Sequence, residues 1–398
     1  MKAELLAPAG SFAKLETALH FGADAVYLGG KNFSLRTFAD NFTLEELRQA
    51  IALAHSMGKK VYVTANILAR NADFAQMKDY FTQLAAFGAD GVIVSDVGVV
   101  YVVKQVAPSL PVHLSTQANT TNQYAVKFWK EQGVSRIILA RELSLKEIAQ
   151  IRDFVPEIEL EAFVHGAMCI SYSGRCLLSD YLDGRSSNRG ACVQSCRWRY
   201  EVRALNATGG PSEWLPIEQD EKGTYILNSK DLNMLSRLND LQDAGVNSFK
   251  IEGRMKSAYY LATVINAYRR AMDGEDESVS SQELLAVAHR EYTQAYADGN
   301  NPHTVNYKDS QSKGEYTYIA DVTGSENGYT YAQMRNRFYT GDVLEVLSPD
   351  GNFKKSFTVG ELETSKGEKT NDGKLVCETY KVACPYDLKK GDFLRRKA

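Results

Sequence analysis

Cysteine is missing from the first 168 residues of this 398-residue chain, which has only six in all. That distribution excludes a disulfide framework running through the fold, because such frameworks need cysteine pairs along the whole chain. There is also no apolar run of the roughly 18 residues that a membrane-spanning helix requires. None of the six histidines stands in the H-E-x-x-H pattern, so the zinc peptidase signature is absent. Charge excess is lacking too: 46 Lys+Arg against 49 Asp+Glu leaves a net −3, and any surface for nucleic acid must be local. The amino terminus, "MKAELLAPAG", enters a strand-like run without the apolar core or cleavage site of a secretory signal. A cytoplasmic location and no membrane association are therefore expected.

What is present is a globular composition, 44% hydrophobic and 24% charged, in a chain too long for one ordinary core. One large domain and one smaller domain are expected. Over the first part of the chain a helix-like segment repeatedly ends at a glycine, and a Val/Ile/Leu-rich run follows two or three residues later. Gly22, Gly58, Gly88, Gly133 and Gly245 mark these junctions. A glycine closing a helix before a buried strand is the αβ half of an α/β unit.

With "ELLAPAG", "PVHLSTQ" and "IELEAFVHG" the pattern predicts eight strands: Glu4 to Ala7, Ala25 to Gly29, Val61 to Ala65, Gly91 to Ser95, Val112 to Ser115, Arg136 to Ala140, Ile158 to Val164 and Ser248 to Ile251. Eight such units in this length predict a TIM-like (β/α)8 barrel, with a doubly wound open sheet as the alternative. Thr43, followed three residues on by Glu46, reads as the cap of a helix carrying Leu44, Leu47, Ile51 and Leu53. The barrel domain is expected over 1–275, with a cysteine-rich insertion at 167–222 after strand seven. A polar segment, "MDGEDESVSSQE", opens a connection at 276–311. Short alternating strands then predict a small all-β barrel over 312–398.

The insertion raises the chemical question. Cys169, Cys176, Cys192 and Cys196 fall in the spacing C-x6-C-x15-C-x3-C. The wide first gap suits a zinc ribbon poorly, whereas an iron-sulfur cluster tolerates looser spacing; zinc and redox-active thiols remain open on spacing alone. Arg175, Arg185, Arg189, Arg197 and Arg199 would lower thiol pKa values, or form an ordinary solvated basic loop. Cys377 and Cys384 read as small core residues. The predicted strand ends carry Asn66, Ser95, Asp96, Ser115, Thr116, Gln117, Arg141, Glu142, His165, Glu252 and Arg254, the polar mouth expected of a ligand-binding barrel.

The stretch "EAFVHGAMCISYSGRCLLS" (Glu161 to Ser179) resembles the signature of the collagenase-like, unassigned-type peptidase family 32. "ELLAPAGS", "NFTLEEL", "NSKDL" and "KIEGRMKS" agree with it, and the resemblance covers essentially the whole chain. The subgroup it is most similar to is the prephenate-dependent tRNA uridine 5-hydroxylases. That resemblance implies a [4Fe-4S] cluster on Cys169, Cys176, Cys192 and Cys196, prephenate as co-substrate, and conversion of a wobble uridine to 5-hydroxyuridine. It also implies tRNA as partner and allows a homo- or hetero-oligomer with a related subunit. Relatives that act on ribosomal RNA or a quinone precursor define the alternatives, as does the peptidase of the family name. Peptidase chemistry would need one thiolate paired with a histidine, a pairing the sequence does not display.

Within this reading His165, Glu161 and Glu252 are the candidate catalytic groups. Arg36, Asn66, Gln117, Arg141 and Arg254 are the candidate substrate-binding groups, the three arginines because guanidinium groups match the two carboxylates of a dicarboxylate co-substrate. Arg395, Arg396 and Lys397, with the Tyr and Arg of "YAQMRNRFY", are expected to let the β domain grip RNA.

Overall fold

The structure is a computed structural model and describes residues 2–35, 40–198, 219–220, 223–224, 228–299, 304 and 314–398. Eight strands form a parallel cylinder: β1 (Glu4–Ala9), β2 (Ala25–Gly29), β3 (Lys60–Thr64), β4 (Gly91–Val94), β5 (Val112–Leu114), β6 (Arg136–Ile138), β7 (Glu159–Ala167) and β8 (Ser248–Ile251). Each strand pairs with the next, and β8 pairs with both β7 and β1, which closes the barrel. Closure excludes the doubly wound alternative. Every strand starts within one residue of its predicted position. The five junction glycines have φ between +68° and +92°, the left-handed values that a helix end needs and a side chain resists.

α1 (Phe12–His20) follows β1 in sequence, and α2 (Leu44–Ser56), α3 (Phe74–Ala86), α4 (Val97–Val106), α5 (Gln123–Glu131) and α6 (Leu145–Phe154) follow the later strands. The cap expected at Thr43 is present: Glu46 N donates to Thr43 Oγ1 at 3.2 Å, and the Glu46 carboxylate accepts from Thr43 N at 2.7 Å. Leu47 and Ile51 of α2 are buried, whereas Leu44 is exposed.

Between β7 and β8 the chain makes the short α7 (Leu178–Asp183), then a strand at Asp231–Asn233 antiparallel to the end of β7, then α8 (Leu238–Asp243). Part of the insertion expected at 167–222 lies outside the described residues. The "NSKDL" stretch is structural. Arg290 is buried against Asn228 and Asp231, with Nη1 3.0 Å from Asn228 Oδ1 and Nη2 2.5 Å from Asp231 Oδ1. This clamp fixes the returning segment that carries Tyr292 beside Asp231.

The chain divides into two compact units: Met1–Ser11, Ala25–Met255 and Arg290–Ser312 form one, while Phe12–Asp24, Lys256–His289 and Lys313–Ala398 form the other. The segments of the two units are interleaved along the chain. α9 (Ala258–Met272) and α10 (Glu277–Leu284) belong with the carboxyl-terminal strands. The acidic stretch read as a connection is helical because Asp276 caps it and Glu283 is buried in an ion pair.

In this second unit β9 (Tyr316–Glu326), β10 (Tyr329–Met334), β11 (Val343–Leu347), β12 (Ser356–Thr358), β13 (Thr379–Ala383) and β14 (Phe393–Lys397) build an antiparallel all-β half-barrel. Its core includes Ile319, Ala332, Leu344, Val346, Val382 and Cys384. Cys377 is not a core residue: it is exposed, at φ +67°, in the turn before β13, so the two cysteines do not share a strand.

The arginines expected to hold RNA are engaged within the unit. Arg395 is fully buried and grips Glu283 through both terminal nitrogens and Glu345 at 2.6 Å. Arg396 pairs with Asp342, Arg335 with Asp321 at 2.5 Å and Arg337 with Asp372 at 2.5 Å. The tail reads as basic but is neutralised by acids far away in sequence. Removing one member of a buried ion pair leaves its partner desolvated and uncompensated, so Arg395→Ala is expected to cost about 3–5 kcal/mol in urea unfolding. An RNA-gripping role for Arg395 would instead leave stability unchanged and weaken RNA binding.

Candidate active site at the barrel mouth

The interior of the barrel has two polar levels of different character. At the level of the first residues of the strands, Glu161 accepts from Lys250 Nζ at 2.6 Å and from Arg136 Nη1 at 3.2 Å. Arg136 also reaches Glu4 at 2.8 Å and Glu159 at 2.7 Å, and the Tyr62 hydroxyl donates to Glu4 at 2.7 Å. Burial lowers the pKa of Lys250, and its contact with Glu161 opposes that shift. The buried His113 beside Tyr62, its pKa pushed well down by burial and by Arg136, is neutral.

Glu161 is therefore not in the mouth. It pairs in register with Ser248, the first residue of β8, and its side chain is consumed by two buried cations. Held between two buried cations at the opposite end of the strands from the mouth, this carboxylate serves as their counter-ion, and its place among the catalytic candidates is corrected on that ground.

The second level lies at the carboxyl ends of the strands, where active sites form in this fold. Arg254, three residues beyond β8, is buried and donates through Nη1 to Ser34 Oγ at 2.8 Å and Thr64 Oγ1 at 3.1 Å, and through Nη2 to the Leu35 carbonyl. Ser34 and Thr64 bond each other at 2.6 Å. Gly29 must be glycine here, because a Cβ would come within 2.2 Å of Arg254 Nη1. Sequence reasoning missed this clamp: Ser34 and Thr64 are far apart in the chain and carry no motif.

Asn66 Oδ1 accepts from Leu35 N at 3.2 Å, its Nδ2 lies 3.4 Å from Ser115 Oγ, and its carbonyl accepts from Ser95 Oγ at 3.0 Å. Gln117 N donates to Ser115 Oγ at 3.3 Å, while Gln117 Oε1 is buried without a hydrogen-bond partner. Arg141 stacks over the Phe163 ring at 3.9 Å, donates to the Ala167 carbonyl at 2.9 Å and stands 3.5 Å from Glu252. Burial raises the pKa of Glu142 beside it. His165 is buried with its ring 5.5 Å from Tyr292, whose hydroxyl burial holds in the neutral form.

The structure thus brings Asn66, Gln117, Arg141, His165, Glu252 and Arg254 to one end of the barrel. Arg36 lies outside the described residues.

The cysteine segment is attached to this end at two places. Gly174, at φ +76°, packs so closely on Gln117 that a Cβ would come within 2.4 Å of its carbonyl oxygen. Asn188 accepts from Leu68 N at 3.0 Å, and Arg189 Nη1 lies 3.0 Å from Asp73. Arg189 therefore serves as a tether and not as a neighbour that tunes a thiol.

Burial first, then the neighbouring Cys169, Cys192 and Cys176, opposed by Arg197, push the Cys196 pKa up to about 11; burial, then Cys176 and Cys192, raise that of Cys169. The four thiols therefore occupy one neighbourhood. Among the described residues no three His, Cys, Asp or Glu groups close on a common metal centre. As a donor set, four soft sulfurs on a loop with left-handed turns at Gly174, Gly184, Gly190 and Gln194 fit a thiolate-bound metal group. Loading would displace their protons.

Fold and site together define a (β/α)8-barrel protein whose mouth is covered by a four-thiol segment. The chain belongs to peptidase family U32: the family description Peptidase family U32 matches residues 10–306, and Peptidase family U32 C-terminal domain matches 314–395. It is 38% identical to "tRNA hydroxylation protein P" of Escherichia coli, covering 92% of this chain and 90% of that protein. It is 40% identical to "tRNA hydroxylation protein P1" of Bacillus subtilis, covering 88% and 84%. It is 36% identical to "23S rRNA 5-hydroxycytidine C2501 synthase" of Escherichia coli, over 68% of this chain and 39% of that protein.

Proposed function

We propose that this protein is an RNA hydroxylase that converts the wobble uridine of tRNA to 5-hydroxyuridine in a prephenate-dependent reaction. The observation that carries the reading is the four-thiol segment tethered over a mouth of fixed guanidinium and amide groups. Its similarity to the tRNA and rRNA hydroxylation proteins supports the reaction class. No helix among the described residues is long and apolar enough to cross a membrane.

Cys169, Cys176, Cys192 and Cys196 would hold a [4Fe-4S] cluster, which supplies electron transfer when bound. Arg141 and Arg254 would receive the carboxylates of the co-substrate; each is pre-oriented by other contacts and would lose little freedom on binding. Gln117, whose Oε1 has no hydrogen-bond partner, would meet a uracil edge with its carboxamide, and Asn66 would line the same end with the remaining capacity of its own. A wobble base in a loop is already unpaired, so admitting it to the mouth costs little. His165 and Glu252, adjacent across β7 and β8, are the groups to hold or move the proton leaving C5.

The test is nucleoside mass spectrometry of tRNA from cells lacking the gene and from cells supplied with it, with and without the ability to make prephenate. Recovery of 5-hydroxyuridine only where gene and prephenate coincide is the expected result. Unchanged nucleosides in every case would sink the reading.

A further inference from the structure

The cysteine segment carries an exposed row of large apolar side chains that neither the fold nor the four thiols account for. Tyr181 is 87% exposed, Leu177 67%, Tyr172 49%, Trp198 43% and Leu182 41%. Single exposed apolar residues need no explanation, but five on one segment do.

The segment that carries them is knit together. Ser179, itself buried, donates to the Arg185 carbonyl at 2.7 Å and accepts from Val193 N at 3.2 Å, and Ser187 and Asn188 both donate to the Cys176 carbonyl. The tethers at Gln117 and Asp73 tie the segment that bears the aromatic rings to the mouth end of the barrel. Arg175 is exposed between them and has no acidic partner among the described residues; Arg185 is exposed too, 3.8 Å from Asp183. The second unit differs, since Arg335, Arg337, Arg395 and Arg396 are all ion-paired there.

We propose that Tyr181 and Tyr172, with Trp198, form a stacking platform for the unpaired bases of the RNA loop whose neighbouring base enters the mouth, and that Arg175 contacts its phosphates. The proposal rests on the RNA hydroxylase reading and adds the surface by which the loop is recognised. Flat aromatic faces joined to a guanidinium suit single-stranded RNA, because every base offers a π-face and every linkage a charge. Stacking here would also explain how a mixed-charge protein of net −3 binds a polyanion: the contact is local and largely not electrostatic.

The experiment measures binding of the anaerobically purified full chain to an unmodified tRNA transcript, to its anticodon stem-loop and to a fully paired RNA duplex. The proteins compared are wild type, Tyr181→Ala, Tyr172→Ala, Tyr181→Trp and Arg175→Ala. Tyr181→Ala is expected to weaken stem-loop binding about tenfold, with Tyr181→Trp near wild type and duplex binding unaffected. Arg175→Ala should lower the salt slope by about one.

Thermal melting controls for folding, and at 87% exposure Tyr181 can be replaced without leaving a cavity. If wild type binds the stem-loop and both tyrosine variants bind equally well, the platform is overturned while the hydroxylase reading stands. If wild type binds none of the RNAs, both fall. Self-association that Tyr181→Ala abolishes, with stem-loop affinity unchanged, would assign the surface to a second copy of the chain and overturn the proposal.

Discussion

Cys192→Ala, purified without air beside the wild type, is expected to lose its iron and sulfide and to lower tRNA hydroxylation by more than about a hundredfold. Changes to groups that merely orient a metal ligand cost about 10- to 100-fold, and loss of a ligand should exceed that. The wild type should carry about four irons and four sulfides per chain and a broad visible absorption that the variant lacks. The shared neighbourhood of the four thiols is the reason for expecting one cluster and not separate reactive cysteines. Cys377→Ala supplies the contrast: it lies in the other unit, in an exposed turn, and should retain full iron. One zinc per chain without sulfide would end the redox mechanism and leave a metal-stapled RNA-binding protein.

Glu161→Ala is expected to be the most destabilising single change in the barrel, at about 3–5 kcal/mol, a fall in Tm on the order of 10 °C. The carboxylate answers two buried cations, Lys250 and Arg136, and its removal leaves both desolvated. Thermal melting measures the loss, and hydroxylation below the lowered Tm separates stability from chemistry. Activity per folded molecule should be close to wild type. An inactive variant with an unchanged Tm would restore Glu161 to the catalytic set and refute its structural assignment. The same experiment on Glu252, which is partly exposed at the mouth and only 3.5 Å from Arg141, should give the opposite pattern of intact stability and lost activity.

Glu161 and Glu252 also show where sequence reading reaches its limit. Both are acids at strand positions within family-like motifs, and nothing local separates them. The difference is how far along the strand each falls once the barrel closes, because β7 and β8 place Glu161 level with the first residue of β8 and Glu252 past its end. The arginines of the tail are a similar case. Read along the chain, Arg395 and Arg396 form a basic cluster, while their partners Glu283, Glu345 and Asp342 lie fifty or more residues away in sequence.

What was legible came from short-range physics. A glycine at a left-handed helix end, a capping pair three residues apart and β-branched runs of strand length are local signals, and they located all eight barrel strands and the loop that bears the cysteines. The cysteine spacing likewise marked four thiols as candidate ligands, and the family resemblance gave them their proposed cluster. Sequence by itself therefore determined the barrel architecture and where along the chain the cysteine loop falls. Tertiary structure decided which ionisable groups are free. A charge is spent or available according to the partners that strand register and helix packing bring to it, and those contacts join residues that no local pattern relates.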